Sequence, residues 1–481
     1  MATDPLAIPT RLRLNAWTGG RSGVSGRVAE EATGWAVRRR LQRMDRRLLA
    51  AEPADPRDWR DPRVGWGLVL PDRDGLSDAE LATAADAPGP IGDLVRDRAG
   101  APVLRYRHGE YTSLRRYYPD RPCRPLSLAG SEFGTGDDRL PRYLLIYGSP
   151  AEIPWDLQYA LNARFAVGRL SLTGQPLANY IAALLRGWPQ PSSSPFRAIV
   201  WATDHGPKDM SATMKRTVAT PIATALQLDP DIGAAALFLR RQGAGATAET
   251  LRRAIAETRP GLIVTTSHGK AGDEGGAPTT PEDLGLPVGE DGSLVRPGDL
   301  LADWQPDGAI WYAHACCSAG SSGDTIFDGL FGADTTVGRL LASVAGLDSL
   351  VAPLPQALLG HERPLRAFIG HVEPTFDWTI AAPATGQPLA AGVRAGVYDG
   401  LYDSTGAQPV GLSFNAYYEP IGVLAAQQET LRRAMDRGTD VGSQALATQL
   451  SARDRMSTVI LGDPTVVFDL SGAASLHPPV V

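Results

Sequence analysis

The sequence is poor in cysteine, in lysine and in long apolar runs. Three cysteines among 481 residues, Cys123, Cys316 and Cys317, cannot build a disulfide framework. The chain therefore reads as cytoplasmic and reduced, where an unusual cysteine is a chemical candidate before it is a structural one. No apolar stretch reaches the length of a membrane span, and MATDPLAIPTRLRLNAW lacks the apolar core of a signal peptide. The expectation is no membrane partner. Only Lys208, Lys215 and Lys270 are lysines among 47 basic residues, and the net charge of −6 argues against a protein that coats nucleic acid. There is no G-x-S-x-G elbow, which disfavours a serine hydrolase.

What is present is ordinary globular composition, 43% hydrophobic and 21% charged, enough for a sizeable core. The 52 glycines and 39 prolines predict many long, ordered loops, where sites concentrate. At about 150 residues per domain the length suggests roughly three units. The expected division is an N-terminal α/β unit of unassigned role (1–135), a lead-in subdomain (136–195) and a larger domain (196–481). Arg38 to Leu49 (RRRLQRMDRRLL) has apolar residues only at helical spacing and reads as a basic amphipathic helix with a solvated face. The polar, Gly- and Pro-rich stretch from Tyr118 to Pro141 marks the first boundary, with Cys123 in it.

Short buried-strand patterns recur: WGLVL (66–70), PVLRY (102–106), RYLLIY (142–147), RAIVWAT (197–203), Ala235–Leu239, GLIVTT (261–266) and AIWYA (309–313). Helices are expected around Ser211–Leu228 and from Thr247, a plausible N-cap whose helix turns Leu251, Ala254 and Ile255 to one face. The alternation predicts a mostly parallel sheet covered by helices. Ligands of such sheets bind outside the carboxyl ends of the strands.

Two of those ends carry chemistry. GLIVTT is followed by Ser267-His268-Gly269, and AIWYA by His314-Ala315-Cys316-Cys317-Ser318-Ala319-Gly320. Imidazole moves protons near neutral pH, a thiolate is a strong nucleophile, and adjacent glycine lets backbone N–H groups approach a reacting carbonyl. Each residue alone has a plainer reading as a packed core group.

This arrangement resembles the caspase-like cysteine peptidases: caspases, metacaspases, legumain, separase, gingipains and the bacterial CHAT proteins. His268-Gly269 and Cys317-Ser-Ala-Gly320, 49 positions apart, match the family's His-Gly and Cys-x-x-Gly. LLIYGSPAEIPW (144–155), AVGRL (166–170) and VILGDP (459–464) are similar to the lead-in and closing segments of gingipain- and CHAT-like proteins. The resemblance covers about residues 142 to 470. It implies an α/β fold, a caspase-like three-layer sandwich with a mostly parallel central sheet, and a cysteine endopeptidase acting through an acyl-enzyme on protein or peptide substrates. It also implies activation by a protease or regulatory partner and a role in bacterial defence or cell death. No cofactor is expected.

The glycine three positions on favours Cys317 as nucleophile, with Cys316 packed beneath on the opposite face of the strand. His268 then shuttles the proton, and the amides of Gly269 and Cys317 form the oxyanion hole. No third member of a triad is evident. His314 reads as structural. A zinc site from His268, His314, Cys316 and Cys317 lacks metal-type spacing.

For the residue before the scissile bond (P1), Asp204 in Thr203-Asp204-His205-Gly206 is the candidate that would select Arg or Lys. Its plainer reading is a helix cap or turn. Glu373 and Asp377, with Trp378, are secondary pocket candidates. The loop from Ala271 to Leu300, with seven acidic residues and one basic, would draw cationic substrates. Two alternatives remain: a non-catalytic caspase-like scaffold, and another thiol-dependent acyl transfer.

Overall fold

The computed structural model describes residues 11–17, 19, 25–29, 32, 54–240, 245–272, 279–382, 385–403 and 407–471. The expected amphipathic helix at 38–49 lies outside them, as do Asp273 and Glu274 of the acidic loop.

Twelve strands form one sheet. In chain order they are β1 (Trp66–Pro71), β2 (Val103–Tyr106), β3 (Ser113–Arg116), β4 (Arg124–Ser127), β5 (Tyr143–Tyr147), β6 (Ala166–Leu170), β7 (Ser194–Ala202), β8 (Ala236–Leu239), β9 (Pro260–Thr266), β10 (Ile310–His314), β11 (Ala367–His371) and β12 (Thr458–Gly462). Across the sheet the order is β8-β7-β9-β10-β11-β12-β6-β5-β1-β2-β3-β4. The pairing is parallel except at β11/β12, β2/β3 and β3/β4. Helices flank it, so the central strands are buried on both faces and read as continuous apolar runs.

The elements follow from their residues. β9 (PGLIVTT) and β10 (IWYAH) are buried throughout. The helix Ala248–Thr258 before β9 starts at Thr247, whose side chain accepts from Thr250 N–H, and it buries Leu251, Ala254 and Ile255. That is the expected cap and face. The stretch taken as a polar boundary contains β4, an edge strand carrying Pro125, where a missing N–H costs no ladder bond. The strands at 66–127 are hydrogen-bonded into the same sheet through β1 and β5. Asp463, in the Leu-Gly-Asp-Pro segment after β12, ties this flank down. It accepts from Trp66 Nε1 at 3.1 Å and pairs with Arg98 at 3.4 Å, all buried. Among the described residues no helix is long and apolar enough to cross a membrane.

Where β6 passes the end of β12, only glycine fits at 168: a Cβ there would lie 2.1 Å from Gly462 O and 2.9 Å from Pro464 Cδ. Gly168→Ala should therefore cost about 1–3 kcal/mol of stability, read as a lower urea midpoint. An unchanged midpoint would contradict this packing.

Candidate active site

The sheet places two strand ends side by side. β9 and β10 pair in parallel with Thr266 opposite His314, so the residues that follow, His268-Gly269 and Cys316-Cys317, leave neighbouring strand ends. Gly269 then presses against the cysteine backbone. A Cβ at 269 would stand 1.9 Å from Cys316 O and 3.0 Å from Cys316 N, so the glycine after the histidine is a steric requirement.

His268 is fully buried, and its Nε2 lies 2.8 Å from Oδ1 of Asp209, itself buried. Asp209 caps the helix Met210–Met214 and also accepts from Ser211 N–H at 2.8 Å. Burial by itself would raise this carboxyl; the hydrogen bonds from His268 and Ser211 outweigh it and hold Asp209 below the usual carboxylate range. An ionised Asp209 keeps the proton on Nε2 and leaves Nδ1 as the basic nitrogen. Nδ1 makes no hydrogen bond to any described residue. Asp209 is thus the orienting group absent from the sequence reading. Its signal was modest: an Asp-x-Ser cap just past the end of β7.

The two cysteines have different surroundings. The strand ends at His314, and Cys317 sits at φ +56°, in a left-handed turn. Strand alternation therefore does not extend to it. Cys317 N–H donates to Glu373 O at 3.3 Å, and Cys317 O abuts Gly285, where a Cβ would come within 2.0 Å. Its electrostatic neighbours are Cys316, Glu373 and Tyr159. Cys316, by contrast, lies in contact with Gly269, and its Sγ accepts from Thr375 N–H at 3.2 Å. Burial pushes both thiols up, and the amides of Thr375 and Asn15 partly offset this for Cys316 alone.

The amides of Gly269, Cys316 and Cys317 are engaged differently. Cys317 N–H is engaged by Glu373, whereas Gly269 N–H (3.2 Å) and Cys316 N–H (3.4 Å) both point at one oxygen, the backbone carbonyl of Asn15.

No protein-family model matches the chain, and no curated protein matches it. Two solved structures are similar. One is the complex of Porphyromonas gingivalis RgpB pro- and mature domains, at 13% identity and a TM-score of 0.34, covering 68% of this chain and 65% of that one. The other is the Arg-specific cysteine proteinase gingipain R, at 12% identity and 0.37, covering 85% and 78%.

The expected pocket carboxylates are dispersed. Asp204 forms an ion pair with Lys215 and accepts from Gly206 N–H, the turn role that was its plainer reading. Glu373 accepts from Thr325 Oγ1 at 3.0 Å and Ile326 N–H at 3.2 Å, beside Cys317. Asp377 holds Arg13 at 3.0 Å, and Trp378 is buried next to it. In the acidic loop, Glu290 accepts from the amides of Asp204 and Ala246, and Asp283 pairs with Arg296. The four zinc candidates are engaged separately. His314 Nδ1 meets Tyr312 Oη at 3.0 Å and His371 Nε2 at 3.3 Å, and burial lowers His314 to about 4.

Burial pushes Glu373 up to about 7. A buried acid with a raised value costs stability as pH climbs from the ordinary carboxylate range through about 7. Glu373→Gln, which keeps the shape and removes the charge, should be less destabilising at pH 8 than at pH 5 in thermal melts. Equal shifts at both would contradict the buried-acid account.

Proposed function

We propose that this chain is a cysteine endopeptidase whose nucleophile is Cys316, whose acid–base is His268 and whose orienting carboxylate is Asp209. The observation that carries the reading is the convergence of Gly269 N–H and Cys316 N–H on a single carbonyl oxygen beside His268. Two amides aimed at one oxygen, between a histidine and a thiol, are what acyl transfer requires of a protein. The resemblance of the His-Gly and Cys-containing segments to caspase-like peptidases points the same way.

In this mechanism the buried thiol rests protonated. His268 Nδ1 takes its proton as Sγ attacks the carbonyl carbon, and the amides of Gly269 and Cys316 hold the developing oxyanion. The imidazolium passes its proton to the leaving nitrogen. Water then attacks the thioester with His268 again as base. Asp209 stabilises the imidazolium and fixes the ring, and it accepts no proton itself.

A basic P1 residue loses its expected support, because Asp204 is committed to Lys215. Selection for arginine moves to Asp377, which receives a side chain two residues earlier in a bound strand.

Cys316→Ala and Asp209→Asn should separate these roles from those of the neighbouring cysteine. On a quenched protein substrate, Cys316→Ala should abolish cleavage and Asp209→Asn should slow it by about a hundredfold or more. Cys317→Ala should stay within about tenfold of the parent. Cleavage that survives in Cys316→Ala and disappears in Cys317→Ala would overturn the assignment.

A further inference from the structure

The oxygen between the two oxyanion donors belongs to the chain itself. Residues 11–17 cross the carboxyl ends of β9, β10 and β11 with the hydrogen bonds of a bound peptide. Asn15 N–H donates to Thr375 O at 3.1 Å, and Leu14 bridges Phe376 in antiparallel fashion. Beyond Asn15 the segment Ala16–Trp17 pairs in parallel with Gly269–Lys270, and Ala271 N–H donates to Trp17 O at 3.4 Å.

The side chains fill successive sites. Arg13 meets Asp377 and donates to Lys208 O at 3.2 Å. Leu14 is fully buried, and the Trp17 ring packs at 5.1 Å from His205 and 6.1 Å from His268. Asn15 is fully buried, its Nδ2 donating to His314 O at 3.4 Å. A short neutral amide therefore occupies the place of the residue before the scissile bond, held by the backbone of His314, whose own ring burial keeps uncharged.

We infer that Arg13–Trp17 is an internal substrate, that the peptidase cuts its own chain between Asn15 and Ala16, and that it prefers Arg-Leu-Asn before a small residue in other substrates. This rests on the peptidase reading above and adds to it the processed bond and the substrate class. In the step, Cys316 Sγ bonds to the Asn15 carbonyl carbon as the bond to the Ala16 nitrogen breaks. The thiol proton reaches that nitrogen through His268. Water then cleaves the thioester, leaving an Asn15 carboxylate and a free thiol. Until the segment leaves, no second peptide reaches the same two amides.

The test uses the full chain. Intact mass and N-terminal sequencing after incubation should show a new terminus at Ala16 in the parent and an uncut chain in Cys316→Ala. The processed protein should cleave a quenched Arg-Leu-Asn-Ala-Trp peptide at least about tenfold faster than Arg-Leu-Arg-Ala-Trp, since a buried site shaped for an amide leaves a longer cation unpaired. Two results would overturn the inference and leave the peptidase standing: an intact Asn15–Ala16 bond in protein that cuts other peptides through Cys316, or faster cleavage after arginine. Absence of any Cys316-dependent cleavage would overturn both.

Discussion

The in-register parallel pairing of β9 with β10 is the constraint on which the site depends. It delivers two loop starts at the same height, and the loops then touch backbone to backbone at Gly269 and Cys316. A side chain at 269 would force the strands' ends apart and with them the two amides. Because the contact is between backbones just past the ends of paired strands, its geometry is set by the ladder hydrogen bonds that hold those ends level rather than by mobile side chains. That is the preorganisation electrostatic catalysis needs.

Around that contact the electrostatics divide into two sides. His268 is hydrogen-bonded through Nε2 to an Asp209 held below the usual carboxylate range. Other buried groups around the two cysteines are shifted toward their neutral forms: Glu373 beside Cys317 and Asp454, which acts on Cys316, are each pushed by burial to about 7, and His314 and His371 are pushed down. The neutral side chain of Asn15 donates to the backbone of His314, a residue whose ring burial keeps uncharged.

The parallel sheet, the strand positions and the close backbone approach at Gly269 were legible because each depends on local pattern. Apolar runs mark buried strands, and a glycine beside a strand-end histidine marks a close approach. The geometry that favours proposing Cys316 over Cys317 was not legible in that way. Counting to the next glycine and assuming strand alternation both favoured Cys317, but the chain turns left-handed at that residue. Only the backbone geometry reveals this. Asp209 and Asn15 escaped for a different reason. Each reaches the site by a tertiary contact across 59 or more positions of sequence, and nothing local distinguishes them from an ordinary cap or an ordinary polar residue. Asp204 attracted attention by lying just after a strand, yet it is paired with Lys215, at the far end of the helix that Asp209 caps.

The central claim is that Cys316 is the attacking thiol. The direct measurement is a peptide map of the protein after reaction with a set of peptidyl acyloxymethyl ketones differing in their last residue, which alkylate only a thiol positioned to attack the carbonyl. The account predicts a thioether on Cys316 with Cys317 unmodified. An adduct on Cys317, with Cys316 untouched, would contradict it.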